Sequence, residues 1–462
     1  MVDRAQSQRS RDREPTTPGI LIAAPASGTG KTTITTGLIA ALSARMSVAP
    51  FKVGPDYIDP GYHGLAAGRT GRNLDMVMCG ADLIGPLYRH GSSGCDIAVV
   101  EGVMGLFDGR IPDGLGSSAD IARLLGLPVI LVVDIRGMSQ SVGALVRGFA
   151  TADKNVRIAG VILNMVGSER HRDICTQAVE YEGIPVVGAI PRQDAVAVPS
   201  RHLGLVTATE HGHQAAEAIA HMADLVDRYC DTDAIAALAS TSYSGPSWNP
   251  AALMERGNAV TVAIASGPAF NFSYAEHREL LAAAGARVVE FDPLVDELPS
   301  CEGIIIPGGF PEEYADILAS RDSLREDIRR HIAAKKPVHG ECAGLLWLVD
   351  RLDERHMLGA IPVSASMKKR LTLGYRSAVA LGDNLLCRAG QRITGHEFHH
   401  SGVDQETAEG FDPAWAWQDY YGNTKSEGFT TATVHASYLH THPAAYPEMV
   451  QRFIQACQRV TS

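Results

Sequence analysis

Long hydrophobic runs are missing from this sequence. No apolar stretch approaches the roughly 20 residues that a membrane-crossing helix needs, so no membrane span is expected. Cysteine pairs are missing too. The eight cysteines, Cys79, Cys95, Cys175, Cys230, Cys301, Cys342, Cys387 and Cys457, show no CxxC spacing, which fits a reducing cytoplasm better than a disulfide scaffold. Positive charge is in short supply: 41 Lys and Arg against 52 Asp and Glu leave a net charge of −11, which argues against a general nucleic-acid binder while leaving room for a local basic pocket. Internal repeats are absent, and the polar residues 1–18 hold no apolar core for a signal peptide and read as a disordered tail.

What is present divides in two. A chain of 462 residues exceeds one ordinary core, and two domains of about 200 residues each are the natural division. Residues 240–258, TSYSGPSWNPAALMERGN after Ser240, have the Ser, Pro, Gly and Asn content of a linker between a first domain at 19–239 and a second at 259–462.

The first domain is organised around ILIAAPASGTGKTTITT, residues 20–36. An apolar strand runs into a glycine turn and then a helix, with Ile34, Leu38, Ala41 and Leu42 at helical spacing. The amides of Gly28, Thr29, Gly30, Lys31 and Thr32 would face an anion at the helix N-terminus. Lys31 would reach the terminal phosphates of ATP, Thr32 would offer its hydroxyl to Mg²⁺, and Thr33 follows in the first helical turn. Pro25 replaces the first glycine of the usual pattern, which makes this a variant.

Further apolar runs at 48–53, 97–100, 129–133, 159–163 and 186–190 alternate with helical stretches, predicting an α/β fold with a parallel sheet covered on both faces. Ligands in such folds bind at the carboxyl ends of strands. KVGPDYIDP, with Asp56 and Asp59, and EGVMGLFDG, with Glu101 and Asp108, stand at those places. Mg²⁺ takes oxygen ligands around phosphates, which suits Asp56 and Glu101; a solvated turn acid is the plain alternative for all four. Asn164 and Pro191 end later strands and would edge the adenine pocket, unless they only make turns.

A second α/β pattern begins near Val260. Its strand at 303–306 ends in PGGFPE, and HGECAGLLW at 339–347 gives strand, Gly-x-Cys-x-Gly turn and helix, a nucleophile elbow presenting Cys342. The amides of the Gly308, Gly309 and Phe310 turn and of Ala343 would form the oxyanion hole for attack on an amide. The base would be His435, His440 or His442, and spacing does not choose among them. HEFHH at 396–400 has the letters of a zinc-protease motif, but its glycine-bracketed stretch is too short for the helix that motif needs.

An ATP site joined to a thiol amidase suggests ammonia cut from glutamine and used on an ATP-activated carboxylate. Here the chain resembles the cobyrinic or hydrogenobyrinic acid a,c-diamide synthases of cobalamin biosynthesis. The resemblance runs from Gly19 onward and rests on APASGTGKTT, FKVGPDYIDPGYH, EGVMGLFDG, PGGFPE, GECAGL, LGYR, GHEFHHS and ASYLHTH. It implies a dethiobiotin-synthetase-like ATP domain, a class I glutamine amidotransferase domain, and two successive amidations of a corrinoid or related tetrapyrrole acid. It also implies Cys342 as nucleophile with His440 as activating histidine, Thr32, Asp56 and Glu101 on Mg²⁺ and ATP, and Asp59 and Asp108 near the acyl phosphate or the corrinoid. Thr441 departs from the apolar residue usual between the two histidines. Nickel-sirohydrochlorin a,c-diamide synthase and cobyric acid synthase are the nearest alternatives, and a P-loop ATPase switch is the alternative of another class. A homodimer is the default assembly.

Overall fold

The computed structural model describes residues 15–192, 200–201, 204–205 and 212–460. Of the expected tail, residues 1–14 lie outside the described residues. The chain forms two compact units, the first ending at Trp248 and the second beginning at Asn249.

The first unit is a seven-stranded parallel sheet in the order β3-β2-β4-β1-β5-β6-β7. Its strands are β1 (Gly19–Ala23), β2 (Val48–Val53), β3 (Arg72–Leu74), β4 (Ile97–Glu101), β5 (Val129–Asp134), β6 (Ile158–Val166) and β7 (Val186–Pro191). Every residue of β1, β2 and β4 is buried. Helices cover both faces, which is why these strands read as continuous apolar runs instead of alternating ones. β1 lies at the centre between β4 and β5, while its following helix, Lys31–Ser43, leads to β2 on the far side of β4. The crevice at such a switch of direction is where α/β sheets bind ligands. A two-residue ladder, β8 (Ser200–Arg201) with β9 (Gly204–Leu205), follows.

The start of the stretch read as linker is docked on the first unit. Ser240 exchanges backbone hydrogen bonds with Gly19 (3.0 and 3.3 Å), and the Trp248 amide donates to Pro86 O (3.0 Å).

The second unit has a parallel core of β11 (Arg287–Phe291), β10 (Thr261–Ala265), β12 (Gly303–Ile306), β13 (Val338–Glu341) and β20 (Val434–Ser437). The same sheet continues through β19 (Thr424–Thr430), β18 (Asp412–Gln418) and β16 (Ile361–Ala380) to β14 (Val349–Leu352) and β15 (Arg355–His356), much of it antiparallel. β17 (Arg392–Val403) pairs with β16 and, at Gly395 and His396, with β21 (His440–Thr441). An apolar cluster that includes Phe270, Ile304, Ile306, Ile328, Trp347 and Phe429 fills the space around β12 and β13.

Candidate active sites

In the first unit β1 ends at Ala23, and the loop from Ala24 to Gly30 returns the chain to the helix at Lys31. Gly30 has φ 90°, and a Cβ there would stand 2.5 Å from Asn164 Nδ2, so both conformation and space require glycine. Asn164, near the end of β6, donates Nδ2 to Thr29 O (2.9 Å) and thereby braces the loop. Gly28 is also left-handed, with φ 76°. Pro191 closes β7 opposite Val166.

Lys31 donates to Met104 O (2.8 Å) across this crevice. Burial lowers its pKa, against the opposing pull of Glu101, Asp59 and Asp108. Thr32 Oγ1 donates to Glu101 Oε1 (2.7 Å) and lies 3.3 Å from Asp59 Oδ2. The ammonium of Lys52 is 2.6 Å from Asp59 Oδ2, 2.8 Å from Glu101 Oε1 and 3.9 Å from Asp56 Oδ2. His63 Nε2 lies 2.8 Å from Glu101 Oε2. Burial would raise the pKa of Glu101, yet Lys52 and His63 hold it down. Asp59 is pushed up to about 7 by burial and by Asp56, against Lys52. Asp56 Oδ1 accepts from the amides of Ile58 (2.8 Å) and Asp59 (3.0 Å), and Asp108 Oδ2 accepts from Gly105 (3.0 Å), so each also shapes its own loop. Among the described residues, no three His, Cys, Asp or Glu side chains come together as a metal site; the oxygens of Thr32, Asp59 and Glu101 converge where Lys52 stands.

In the second unit β13 ends at Glu341 and the helix Ala343–Leu348 begins directly after Cys342. Cys342 has φ 52° and ψ −99°, a conformation a non-glycine residue holds only under constraint from its surroundings. The constraint is visible: its amide donates to Ser437 O (2.7 Å), and Gly344 lies so close to β12 that a Cβ would come within 2.1 Å of Ile306 O.

His440 is the histidine that meets the thiol. It is hydrogen-bonded to Cys342, and its Nδ1 lies 2.7 Å from Glu341 Oε1. Burial would lower its pKa, but Cys342 and then Glu341 raise it to about 10. Gly308 makes room for the ring, since a Cβ there would stand 2.7 Å from His440 Cε1. His435 packs instead between His339 and Trp415, both at 5.4 Å, and His442 lies tilted against Tyr274 at 4.3 Å. In the turn after β12, Phe310 has committed its amide to Ala269 O (3.1 Å), which leaves the amides of Gly308, Gly309 and Ala343 as oxyanion candidates. Gly309 must be glycine because a Cβ would come 2.2 Å from Ala269 O.

The HEFHH segment lies on β17, where residues four apart are separated by about 13 Å along the strand. His396 pairs with His440 across the β17–β21 ladder, Glu397 accepts from Arg376 Nε (2.6 Å), and His399 stacks on Tyr438 (3.8 Å). The segment holds the strand that carries His440.

Two family models match the chain: a CobQ/CobB/MinD/ParA nucleotide binding domain over residues 20–206, and a CobB/CobQ-like glutamine amidotransferase domain over residues 261–447. The hydrogenobyrinate a,c-diamide synthase of Mycobacterium bovis is 53% identical over 446 residues, covering 94% of this chain and 97% of that protein. This chain belongs to the hydrogenobyrinate/cobyrinate a,c-diamide synthase family. The hydrogenobyrinate a,c-diamide synthase of Streptomyces coelicolor is 49% identical over 97% of this chain and 99% of its own. The cobyrinate a,c-diamide synthase of Picrophilus torridus is 38% identical over 96% and 99%. Members of this family are amide-forming ligases, with a nucleotide-binding domain followed by an amidotransferase domain.

For this diamide synthase family member the structure adds residues that the motifs did not single out: Lys52 and His63 in the first site and Glu341 in the second. Lys52 carried a signal, because a lysine in an all-apolar strand must find its counter-charges inside. His63 belongs to the same motif, FKVGPDYIDPGYH, and is fully buried.

Proposed function

We propose that this chain amidates the a and c carboxylates of hydrogenobyrinic acid with ATP and glutamine, as a cytoplasmic enzyme. The observation that carries the reading is the pairing of Cys342 with His440 in one unit of a chain whose other unit presents Lys31 and Thr32 at a phosphate cradle. The identity of 53% to a synthase named for the metal-free acid, against 38% to one named for cobyrinate, favours the metal-free substrate.

In this mechanism the acceptor carboxylate takes the terminal phosphoryl group of ATP, giving an acyl phosphate. Lys31 offsets charge on the transferring group. Thr32, Asp59 and Glu101 supply the hard oxygen donors that would hold Mg²⁺; Asp59 takes the place expected of Asp56 because it lies 3.3 Å from Thr32 Oγ1, whereas Asp56 Oδ1 is held by the amides of Ile58 and Asp59. Bound there, Mg²⁺ would neutralise phosphate charge. His440 takes the Cys342 proton, the thiolate attacks the glutamine carboxamide, and the oxyanion rests on the amides of Gly309 and Ala343. The glutamyl thioester is then hydrolysed. The released ammonia displaces phosphate from the acyl phosphate to give the amide.

The test is mass spectrometry of the purified chain with Mg²⁺, ATP, glutamine and, in separate tubes, hydrogenobyrinic acid, cobyrinic acid and nickel-sirohydrochlorin. Two successive replacements of OH by NH₂ in the hydrogenobyrinic acid tube are expected, and conversion of another acceptor alone would replace the substrate assignment. Cys342→Ala should lose glutamine-dependent amidation and keep amidation from ammonium salts. Loss of both would give the cysteine another task.

A further inference from the structure

We propose that Glu341 is the positioning residue for His440, completing a Cys342–His440–Glu341 triad in which the acid directly precedes the nucleophile in sequence. The inference rests on the glutaminase reading of the second unit.

Consecutive residues of a strand point to opposite faces, so Glu341 and Cys342 would ordinarily diverge. The left-handed turn at Cys342 cancels that divergence and lets both side chains reach one imidazole. Glu341 Oε1 sits 2.7 Å from His440 Nδ1, and Oε2 accepts from the Thr441 amide at 3.4 Å. The carboxylate thus grips the ring and the backbone beside it. With Nδ1 engaged as the N–H, Nε2 is left for the thiol.

The charge around Glu341 supports the same role. On its other side is a cavity whose lining includes His277, His339 and Thr441 and contains neither lysine nor arginine. Burial pushes His277 down to about 4 and also lowers His339, so both imidazoles are neutral near pH 7. His396 on β17, opposite His440, is lowered to about 3 by burial, then by His440 and Arg376. Among the described residues, His440 is therefore the imidazole beside Glu341 that holds the proton it shares with Cys342. The proton leaves Cys342 Sγ for Nε2 and passes to the departing ammonia as the carboxamide C–N bond breaks. A proton from water then replaces it, as the thioester is hydrolysed to glutamate and free thiol.

The experiment uses the full chain and the variants E341Q and E341D. Glutaminase kcat should fall roughly 10²- to 10⁴-fold in E341Q with little change in KM for glutamine, E341D should recover part of the loss, and ammonium-dependent amidation should stay at the wild-type rate. Iodoacetamide labelling of Cys342 supplies the readout that a merely structural role would not move. Without the carboxylate the imidazolium is less favoured, so the labelling profile of E341Q should shift to higher pH, with E341D between. A wild-type kcat in E341Q, or a labelling profile unmoved in both variants, would overturn the assignment of Glu341. Absence of glutaminase activity in the wild-type chain would instead overturn the glutaminase reading on which it rests.

Discussion

Glu427 is a buried acid whose hydrogen bonds go to the strand behind the nucleophile. It accepts from Ser437 Oγ (2.6 Å) and from the Tyr438 amide (2.7 Å), and Ser437 O in turn accepts the amide of Cys342 (2.7 Å). Burial, then Glu397, pushes its pKa up to about 8. The folded chain therefore holds a proton that the unfolded chain releases at the ordinary carboxyl value. Stability from this group is complete below about pH 4.5 and is lost as pH rises through about 8, at a slope of at most roughly 1.4 kcal/mol per pH unit. Glu427→Gln keeps an acceptor for Tyr438 and cannot ionise, so its urea midpoint should vary less than that of the wild type between those limits. Curves falling in parallel would assign the pH dependence to another group. At this scale Lys31, Thr32 and Cys342 were legible because glycines announce their turns. Glu341 was not, since strand alternation points it away from Cys342 until the φ of that residue is known.

The helix Ala343–Leu348 owes its position to a close approach. Gly344 packs on the carbonyl of Ile306 at the end of β12, and Gly340 would place a Cβ 2.9 Å from the backbone of Gly344. A methyl at Gly344 would meet backbone, which cannot swing aside as a side chain can. Gly344→Ala should therefore cost about 1–3 kcal/mol and displace Cys342, read as a lower urea midpoint together with loss of glutamine hydrolysis. A variant with wild-type midpoint and activity would show that strand and helix can part without harm. The central parallel strands β1, β2, β4, β5 and β6 were legible because burial on two faces leaves continuous apolar runs, whereas the short β3 (RNL) and β20 (VHAS) carry no such run. The antiparallel strands were not: β16 alternates buried and exposed residues, carries Lys368, Lys369 and Arg370 through a register shift, and finds its partner β17 in a histidine-rich segment. Pairing with β16 on one side and with β21, at Gly395↔Thr441 and His396↔His440, gives that segment its place, and pairings so distant in sequence leave no local periodicity to read.

For the molecule as a whole, two compact units with separate chemistries imply separable responses to ligands. Calorimetry with Mg²⁺ and ATP should stabilise the first unit, by about 2.7 kcal/mol at a hundredfold excess over Kd, and leave the second where it was. Lys31→Ala should abolish that shift and remove synthesis with either glutamine or ammonium. A Lys31→Ala chain that still responds to ATP would place the phosphate contact elsewhere.

Lys52 bears on how the first unit persists between turnovers. Buried carboxylates repel one another unless a cation stands among them. Here that cation is covalently part of the chain, with its ammonium 2.6 Å from Asp59 and 2.8 Å from Glu101. The site thus carries part of its own counter-charge, one ammonium set against the carboxylates of Asp59 and Glu101. A cation approaching these two carboxylates therefore competes with an ammonium that cannot leave.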